Sequence, residues 1–359
     1  MLPVVVTMGE PSGVGPELII KSWHMRCNQI GNGEEVVPFF VLGDPELFKR
    51  RARDIASNIG IYVCDPREAK SVFSFGLPVV SFDYSVDGVP GSPSVADAYT
   101  VIKIIDKAVE LVKANLASAM VTSPISKFDL RSVGFKWSGH TYYLAYLADK
   151  MSTRDRSWVE CPNETVFISE FMPVMFLLNS MLRIATVTGH VSVKEVSQLL
   201  TEDLIVNVAH VVVQSLMNFW GIERPRLAVL GLNPHAGEQG ILGLEEKNTI
   251  VPAVLRLIAD GIQVTGPHSA DSMFHKDRRC EYDAVLAMYH DQALIPVKTL
   301  SFYETVNVTL GLPFVRTSPA HGTSLGIAGR GLARADSFIA AIRLAGSMAR
   351  KQSNCLGRD

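Results

Sequence analysis

The chain has 359 residues, 47% of them hydrophobic and 19% charged, which is more than one hydrophobic core commonly organises and enough to fill a sizeable interior. Its 34 Lys and Arg against 36 Asp and Glu, with no long run of either sign, exclude the electrostatic footprint of a nucleic-acid or membrane-surface binder. Five scattered cysteines, Cys27, Cys64, Cys161, Cys280 and Cys355, contain no CxxC pair, which argues against a disulfide framework or thiolate metal site and for reduced thiols in the cytoplasm.

In chain order, "MLPVVVTMGEPSG" lacks a basic segment before its apolar run and reaches Glu10 quickly, so no signal peptide is expected. "VVVTM" reads as a strand, and "GEPSGVGPELII" as a tight glycine turn opening a helix with Pro16 near its first position. Gly13 and Gly15 would let the backbone approach a ligand closely there, although the motif is not GxGxxG. Next come a strand in "VVPFFVLG", a helix in "PELFKRRARDI", the surface loop "SFDYSVDGVPGSPS", a long helix around "DAYTVIKIIDKAVELVKANL" and a strand in "ASAMVTSP". "SGHTYYLAYLADK" sets His140 and Thr141 just ahead of an apolar helix, where free N–H groups favour an anion, although an ordinary Thr cap fits the same residues. "FMPVMFLLNSMLRIATVTG" is apolar, but Pro173, Asn179, Ser180 and Arg183 interrupt it, so two short strands joined at "NSM" fit better than a membrane span.

The second half repeats the alternation: "LRIATVTGH" then "VKEVSQLL", "RLAVLGLNPH" then "EEKNTIVPAVLRLIADG", and "YDAVLAMYH" before "VNVTLG". Such alternation predicts an α/β fold with a largely parallel sheet covered by helices on both faces. His210, inside the apolar helix "IVNVAHVVVQSLM", reads as a core or interface histidine. "IPVKTLSFYETVNVTLGLPFVRTS" places Lys298, Asn307 and Arg316 on consecutive strand or loop segments of one small unit, a pairing suited to phosphate or carboxylate if the residues are not simply solvated. "HGTSLGIAGRGLARADSF" offers Gly322, Gly329 and Gly331 for close backbone approach, with His321 and Thr323 as polar contacts.

Three of the nine histidines stand where an apolar strand finishes: His190, His235 and His290, the last followed by Asp291. In open α/β sheets chemistry sits beyond the carboxyl ends of strands, and three neutral imidazoles with an open position make a competent site for a divalent ion. No short signature such as HExxH joins them, so the spacing leaves open whether each caps its own loop. A three-histidine metal hydrolase is compatible with the same residues.

Together the segments "GEPSGVGPE", "TSPISK", "SGHT", "TGHVSVKEV", "LGLNPHAGEQGILGLEE", "GPHSADSMF", "YDAVLAMYHDQALIPVK" and "VNVTLGLPFVRTSPAHGTSLGIAGRG" resemble the 4-hydroxythreonine-4-phosphate dehydrogenase family of vitamin B6 synthesis, over nearly the whole chain and in order. The family is related in fold to isocitrate and isopropylmalate dehydrogenases. The resemblance implies two α/β/α domains with an active-site cleft between them: residues 1–135 plus 312–359, and residues 136–311 carrying the metal ligands and dimer contacts. It further implies a cytoplasmic homodimer with shared active sites and NAD or NADP as oxidant. One divalent ion per site, zinc, magnesium, manganese or cobalt, would lie on His190, His235 and His290. His140, Thr141, Lys298, Asn307 and Arg316 match the family's substrate-holding residues, and Asp271 and Asp291 its catalytic aspartates, whether as acid/base groups or as orienters. Gly13, Gly15, His321, Gly322 and Thr323 become cofactor candidates.

The implied reaction oxidises 4-phosphooxy-L-threonine to a β-keto acid, which loses carbon dioxide to give 3-amino-2-oxopropyl phosphate. The chain departs from the family pattern at Glu10 (usually Asp), Ser126 (frequently Asn) and Tyr142 (commonly Glu). Tyr142 adjoins the substrate pair and leaves room for D-threonate or D-erythronate 4-phosphate, or an aromatic cis-dihydrodiol carboxylate. Phosphate acyltransferases share a related architecture but give the strand-end histidines no task, and a non-catalytic binding module would not need a cation, an anion cluster and a glycine-rich loop together.

Overall fold

The strands form where the sequence offers short apolar runs. Val4–Thr7 (β1) is 0–1% exposed at every position, as expected for a central parallel strand covered on both faces. The computed structural model describes residues 1–31, 36–81, 85–150 and 171–355. Cys161 and the side chains of Cys27 and Cys355 lie outside the described residues, while Cys64 and Cys280 are free thiols.

After β1 follow α1 (Gly15–Gly31), β2 (Phe39–Leu42), α2 (Pro45–Asp54), β3 (Ile61–Val63), α3 (Ala69–Val72), β4 (Leu77–Val80) and α4 (Val95–Lys113). Next are β5 (Met120–Thr122), α5 (Lys127–Ser132), α6 (His140–Lys150), β6 (Val174–Leu178), β7 (Arg183–Thr186), α7 (Val193–Leu199), α8 (Glu202–Trp220) and β8 (Arg226–Leu230). The chain continues through α9 (Val251–Ala259), β9 (Gln263–His268), β10 (Ala284–Ala287), α10 (His290–Leu300), β11 (Val306–Leu310), β12 (Arg316–Pro319) and α11 (Asp336–Cys355).

Two compact units emerge, Met1–Ser169 with Leu312–Arg350, and Glu170–Gly311 with Lys351–Asp359. The boundary expected at 135/136 therefore moves. Residues 136–150 belong to the first unit because α6 packs on α4, where the Tyr143 hydroxyl donates to Asp106, and Tyr143 lies edge-on to Phe135 at 4.9 Å between ring centroids.

The first unit's strands run β3-β4-β2-β1-β5-β12, and every neighbouring pair is parallel. Phe40 and Phe48, both 0% exposed, bury whole side chains worth about 1.5–3 kcal/mol each. Asp44 starts α2 by accepting a hydrogen bond from the Glu46 N–H at 2.8 Å, with Pro45 at the first helical position.

The second unit runs β11-β6-β7-β10-β8-β9, parallel across β7, β10, β8 and β9 and antiparallel where β6 meets β7 and β11. The apolar stretch interrupted at "NSM" is thus a hairpin of β6 and β7. Asn179 makes its turn, its Oδ1 accepting from the N–H groups of Met181 (2.9 Å) and Leu182 (3.1 Å). Among the described residues no single helix is long and apolar enough to cross a membrane. His210 is not a core residue. It lies on the exposed side of α8 and pairs with Asp260 at 3.0 Å, the apolar residues around it filling the buried face instead.

Candidate active site

In the second unit β10 lies between β7 and β8, parallel to both, with Ala287 opposite Thr186 and Leu286 opposite Val229. The three carboxyl ends therefore share one edge. Pairing continues past β7 and β10: the N–H of Val187 donates to Ala287 O (2.8 Å), that of Thr188 to Met288 O (3.2 Å), and Thr188 Oγ1 also reaches Met288 O (2.7 Å). This extension carries Gly189 and His190 alongside Tyr289 and His290, whose imidazole ring centroids end 5.1 Å apart. His290 Nδ1 lies 2.7 Å from Asp291 Oδ1, an arrangement that fixes the ring and leaves Nε2 for a ligand.

His235 reaches the same edge by a different device. His235, Ala236, Glu238 and Gln239 all adopt left-handed backbone, with φ of 53°, 51°, 42° and 54°, a costly run for residues other than glycine. The buried carboxylate of Glu246 holds it, accepting from Asn233 N at 2.7 Å and Asn233 Nδ2 at 2.9 Å. Gln292 joins the two loops, donating to Gly231 O at 2.8 Å and accepting from Met288 N at 2.7 Å. The sequence reading missed Glu246 and Gln292. Their signals were the "LEE" after the histidine loop and the "HDQ" after β10. Asp271 is exposed and accepts from Ser269 Oγ at 2.6 Å, which, with His235 nearby, holds its carboxyl below the usual range.

Among the described residues no three His, Cys, Asp or Glu side chains stand close enough to hold a metal ion. The donor chemistry nevertheless fits one: two imidazoles stand close together, tilted by 45°, and one is oriented by a carboxylate. Asn307 is on β11 with a buried Oδ1 that has no hydrogen-bond partner, a group suited to a polar ligand. Lys298 is helical, in α10 near Phe302, rather than on a strand or loop, because α10 tolerates Pro296 and runs on to Leu300. Arg316 opens β12 and falls in the first unit, so the expected single small unit for Lys298, Asn307 and Arg316 does not hold.

In the first unit Arg316 is 3% exposed, and its Nη2 and Nε donate to Thr122 Oγ1 at 2.6 and 3.2 Å. Burial pulls its guanidinium down to about 9. His140, first residue of α6, is buried, with Nε2 lacking a hydrogen-bond partner. Burial, then the nearby cations Arg316 and Lys127, hold its ring well below the ordinary histidine value and hence neutral. Thr141 follows it in the first turn of α6.

The two glycine-rich pieces meet in this unit. Val14 N donates to Thr323 O at 3.0 Å, and a side chain at Gly13 would strike that same oxygen at 2.9 Å. His321 Nδ1 lies 3.0 Å from Gly322 O. At Gly15 a Cβ would come within 2.7 Å of Met8 O. Arg51, fully buried, donates to the carbonyls of Gly13 (2.9 Å), Pro11 (3.2 Å) and Gly88 (3.1 Å). Glu17, also buried, accepts from the N–H groups of Gly329 and Ala333, both at 3.1 Å, and pairs with Lys21 at 3.2 Å. Neither Arg51 nor Glu17 was legible as a site residue, since each acts through backbone remote in sequence.

Comparison with known proteins follows the same lines. The family model described as Pyridoxal phosphate biosynthetic protein PdxA matches residues 35–345. A 4-hydroxythreonine-4-phosphate dehydrogenase of Methylorubrum populi is 44% identical over 98% of this chain and 96% of its own length, and one of Bradyrhizobium diazoefficiens is 42% identical over 97% of each. The crystal structure of 4-hydroxythreonine-4-phosphate dehydrogenase from Klebsiella pneumoniae superposes with a TM-score of 0.77 at 32% identity, covering 97% of this chain and 98% of that one.

Proposed function

Since the chain belongs to the pyridoxal phosphate biosynthetic protein PdxA family, we propose that it oxidises 4-phosphooxy-L-threonine with NAD or NADP in vitamin B6 synthesis. The product is a β-keto acid that decarboxylates to 3-amino-2-oxopropyl phosphate. The observation that carries this reading is the close pair His190 and His290 at the ends of adjacent parallel strands, with Asp291 orienting His290. His190, His235 and His290 would hold a divalent ion, zinc, magnesium, manganese or cobalt. When bound, the nicotinamide accepts a hydride and the cation polarises the substrate's oxygens.

The chain's own residues do the rest. Asp291 sets the orientation of His290, and Asp271, whose carboxyl is held below the usual range, takes up a proton from the substrate's hydroxyl in this reading. His140, Thr141, Lys298, Asn307 and Arg316 bind the phosphorylated substrate in this reading. Arg316 favours an anion because a desolvated cation recovers more Coulombic energy than one in water. Gly13, Gly15, His321, Gly322 and Thr323 border the dinucleotide in this reading; Gly13 and Gly15 keep the chain's own backbone closely packed, and Gly322 leaves open space.

The working form is a cytoplasmic homodimer with shared sites. An apolar stripe on α9, Val251, Leu255 and Ile258, is 36–60% exposed beside Ile241 and Leu244 at 80% and 54%, which supports a subunit contact. The test is a panel of 4-phosphooxy-L-threonine, D-threonate 4-phosphate, D-erythronate 4-phosphate and a cis-dihydrodiol carboxylate, followed by NADH absorbance. The first compound should give the highest kcat/KM. Metal-dependent hydrolysis without any nucleotide reduction would remove the dehydrogenase reading.

A further inference from the structure

The first turn of α6 contains no acidic residue, and its first side chain, His140, is buried with an unpartnered Nε2. Against this end of the helix lies the side chain of Lys127, first residue of α5. A Cβ at Gly139, the residue before α6, would sit 3.5 Å from Lys127 Cε and 3.9 Å from Nζ. These are ordinary van der Waals distances, and they set the end of the Lys127 side chain beside the residue that precedes α6. Ser126 fixes the start of that stem by capping α5, its Oγ accepting from Asp129 N at 3.5 Å.

Among the described residues no carboxylate or carbonyl takes a hydrogen bond from Lys127. Burial and the like charge of Arg131 hold its ammonium below the usual lysine range. The charges of Arg316 and Lys127 both act on the His140 imidazole. A lysine, an arginine, a neutral histidine with a free ring nitrogen and a helix amino end thus converge without an acid among them. Lys127 is solvent-accessible in part, so its ammonium is open to a ligand entering from that side.

We infer that Lys127 is a further substrate-binding residue, its ammonium donating to the phosphate of the substrate over the first turn of α6. This rests on the reading of His140, Thr141 and Arg316 as the phosphate end of the site. Lysine supplies a compact charge free to rotate, and Arg316 a planar fork, so the pair can serve different oxygens of one dianion.

The test uses full-length enzyme with inorganic phosphate as the probe, by calorimetry, and then the phosphorylated substrate in steady state. Lys127→Met keeps the stem and removes the charge; Lys127→Arg restores it. Lys127→Met should weaken phosphate binding and raise the KM of the phosphorylated substrate about ten- to hundredfold, the range expected for one charge-assisted bond. The KM for NAD and the melting temperature should stay near wild type, and Lys127→Arg should recover most of the loss. Unchanged phosphate affinity and KM in Lys127→Met, with both lost in Arg316→Lys, would overturn the role of Lys127 while sparing the site. Unchanged values in both variants would sink the phosphate reading itself. An equal Lys127→Met loss for inhibition by the unphosphorylated hydroxy acid would move Lys127 to the carboxylate and overturn the assignment.

Discussion

Glu10 holds its proton more tightly than an ordinary carboxylate because of its surroundings. It is 4% exposed, and burial pushes its carboxyl up to about 7, with Asp129 and Asp97 adding and the Ser12 N–H at 3.1 Å opposing. The folded value lies above the ordinary 4.5, so the folded chain binds more protons between the two. The stabilising share is complete below about pH 4.5 and is lost as the pH rises through about 7. At higher pH the ionised buried group costs at most about 3 kcal/mol. Glu10→Gln, which keeps the acceptor for Ser12 and cannot ionise, should raise the melting temperature by several degrees at about pH 8 and leave it nearly unchanged at about pH 4.5. Equal shifts at both would contradict the argument. At this scale the sequence displays the identity of a residue but seldom its environment. His190, His235 and His290 were legible because strand ends are marked by where apolar runs stop. The burial of Glu10, Arg51 and Glu17 was not, because it depends on Pro124, Gly88 and Gly329, which come from segments remote in sequence.

The turn over Pro234–Gly240 shows how an element aims a side chain. Gly237 has φ of 78°, and a Cβ there would fall 2.5 Å from Glu246 Oε2, the carboxylate that holds Asn233. Gly237→Ala should cost about 1–3 kcal/mol through backbone strain and the displaced carboxylate. It should also move His235, so that zinc affinity, measured by competition with a chelator, falls while the unit stays folded. Wild-type zinc affinity in this variant would separate His235 from the metal. The alternation of strands and helices was readable because central parallel strands are unbroken apolar runs. Strands β3, β4, β9 and β12 escaped: β3 is three residues long, β4 is four with Pro78 inside it, β9 is broken by Gly266 and Pro267, and β12 is polar, "RTSP". The last is buried by neighbours rather than by its own apolarity. Lys298 was misplaced for a related reason: a proline inside "IPVKTL" reads as a helix breaker, yet α10 continues through it.

For the whole molecule, a single chain's sequence marks the α9 stripe only as a periodic apolar face; its exposure appears once the second unit has folded. If that stripe is the subunit contact, light scattering should give twice the mass of one chain, and Leu255→Glu should shift the enzyme to monomers and lower activity with it. A wild-type monomer at full activity would contradict the shared site. The matched regions cover nearly the entire chain, so the reaction is assigned to the whole protein and not to one unit of it. The central claim is that this polypeptide couples hydride removal to loss of carbon dioxide on a phosphorylated hydroxy acid. The direct measurement is the yield of NADH and carbon dioxide from metal-loaded enzyme given limiting 4-phosphooxy-L-threonine. Equimolar NADH and carbon dioxide are predicted, with both abolished in His290→Ala; phosphate release without NADH, or full activity in His290→Ala, would contradict it.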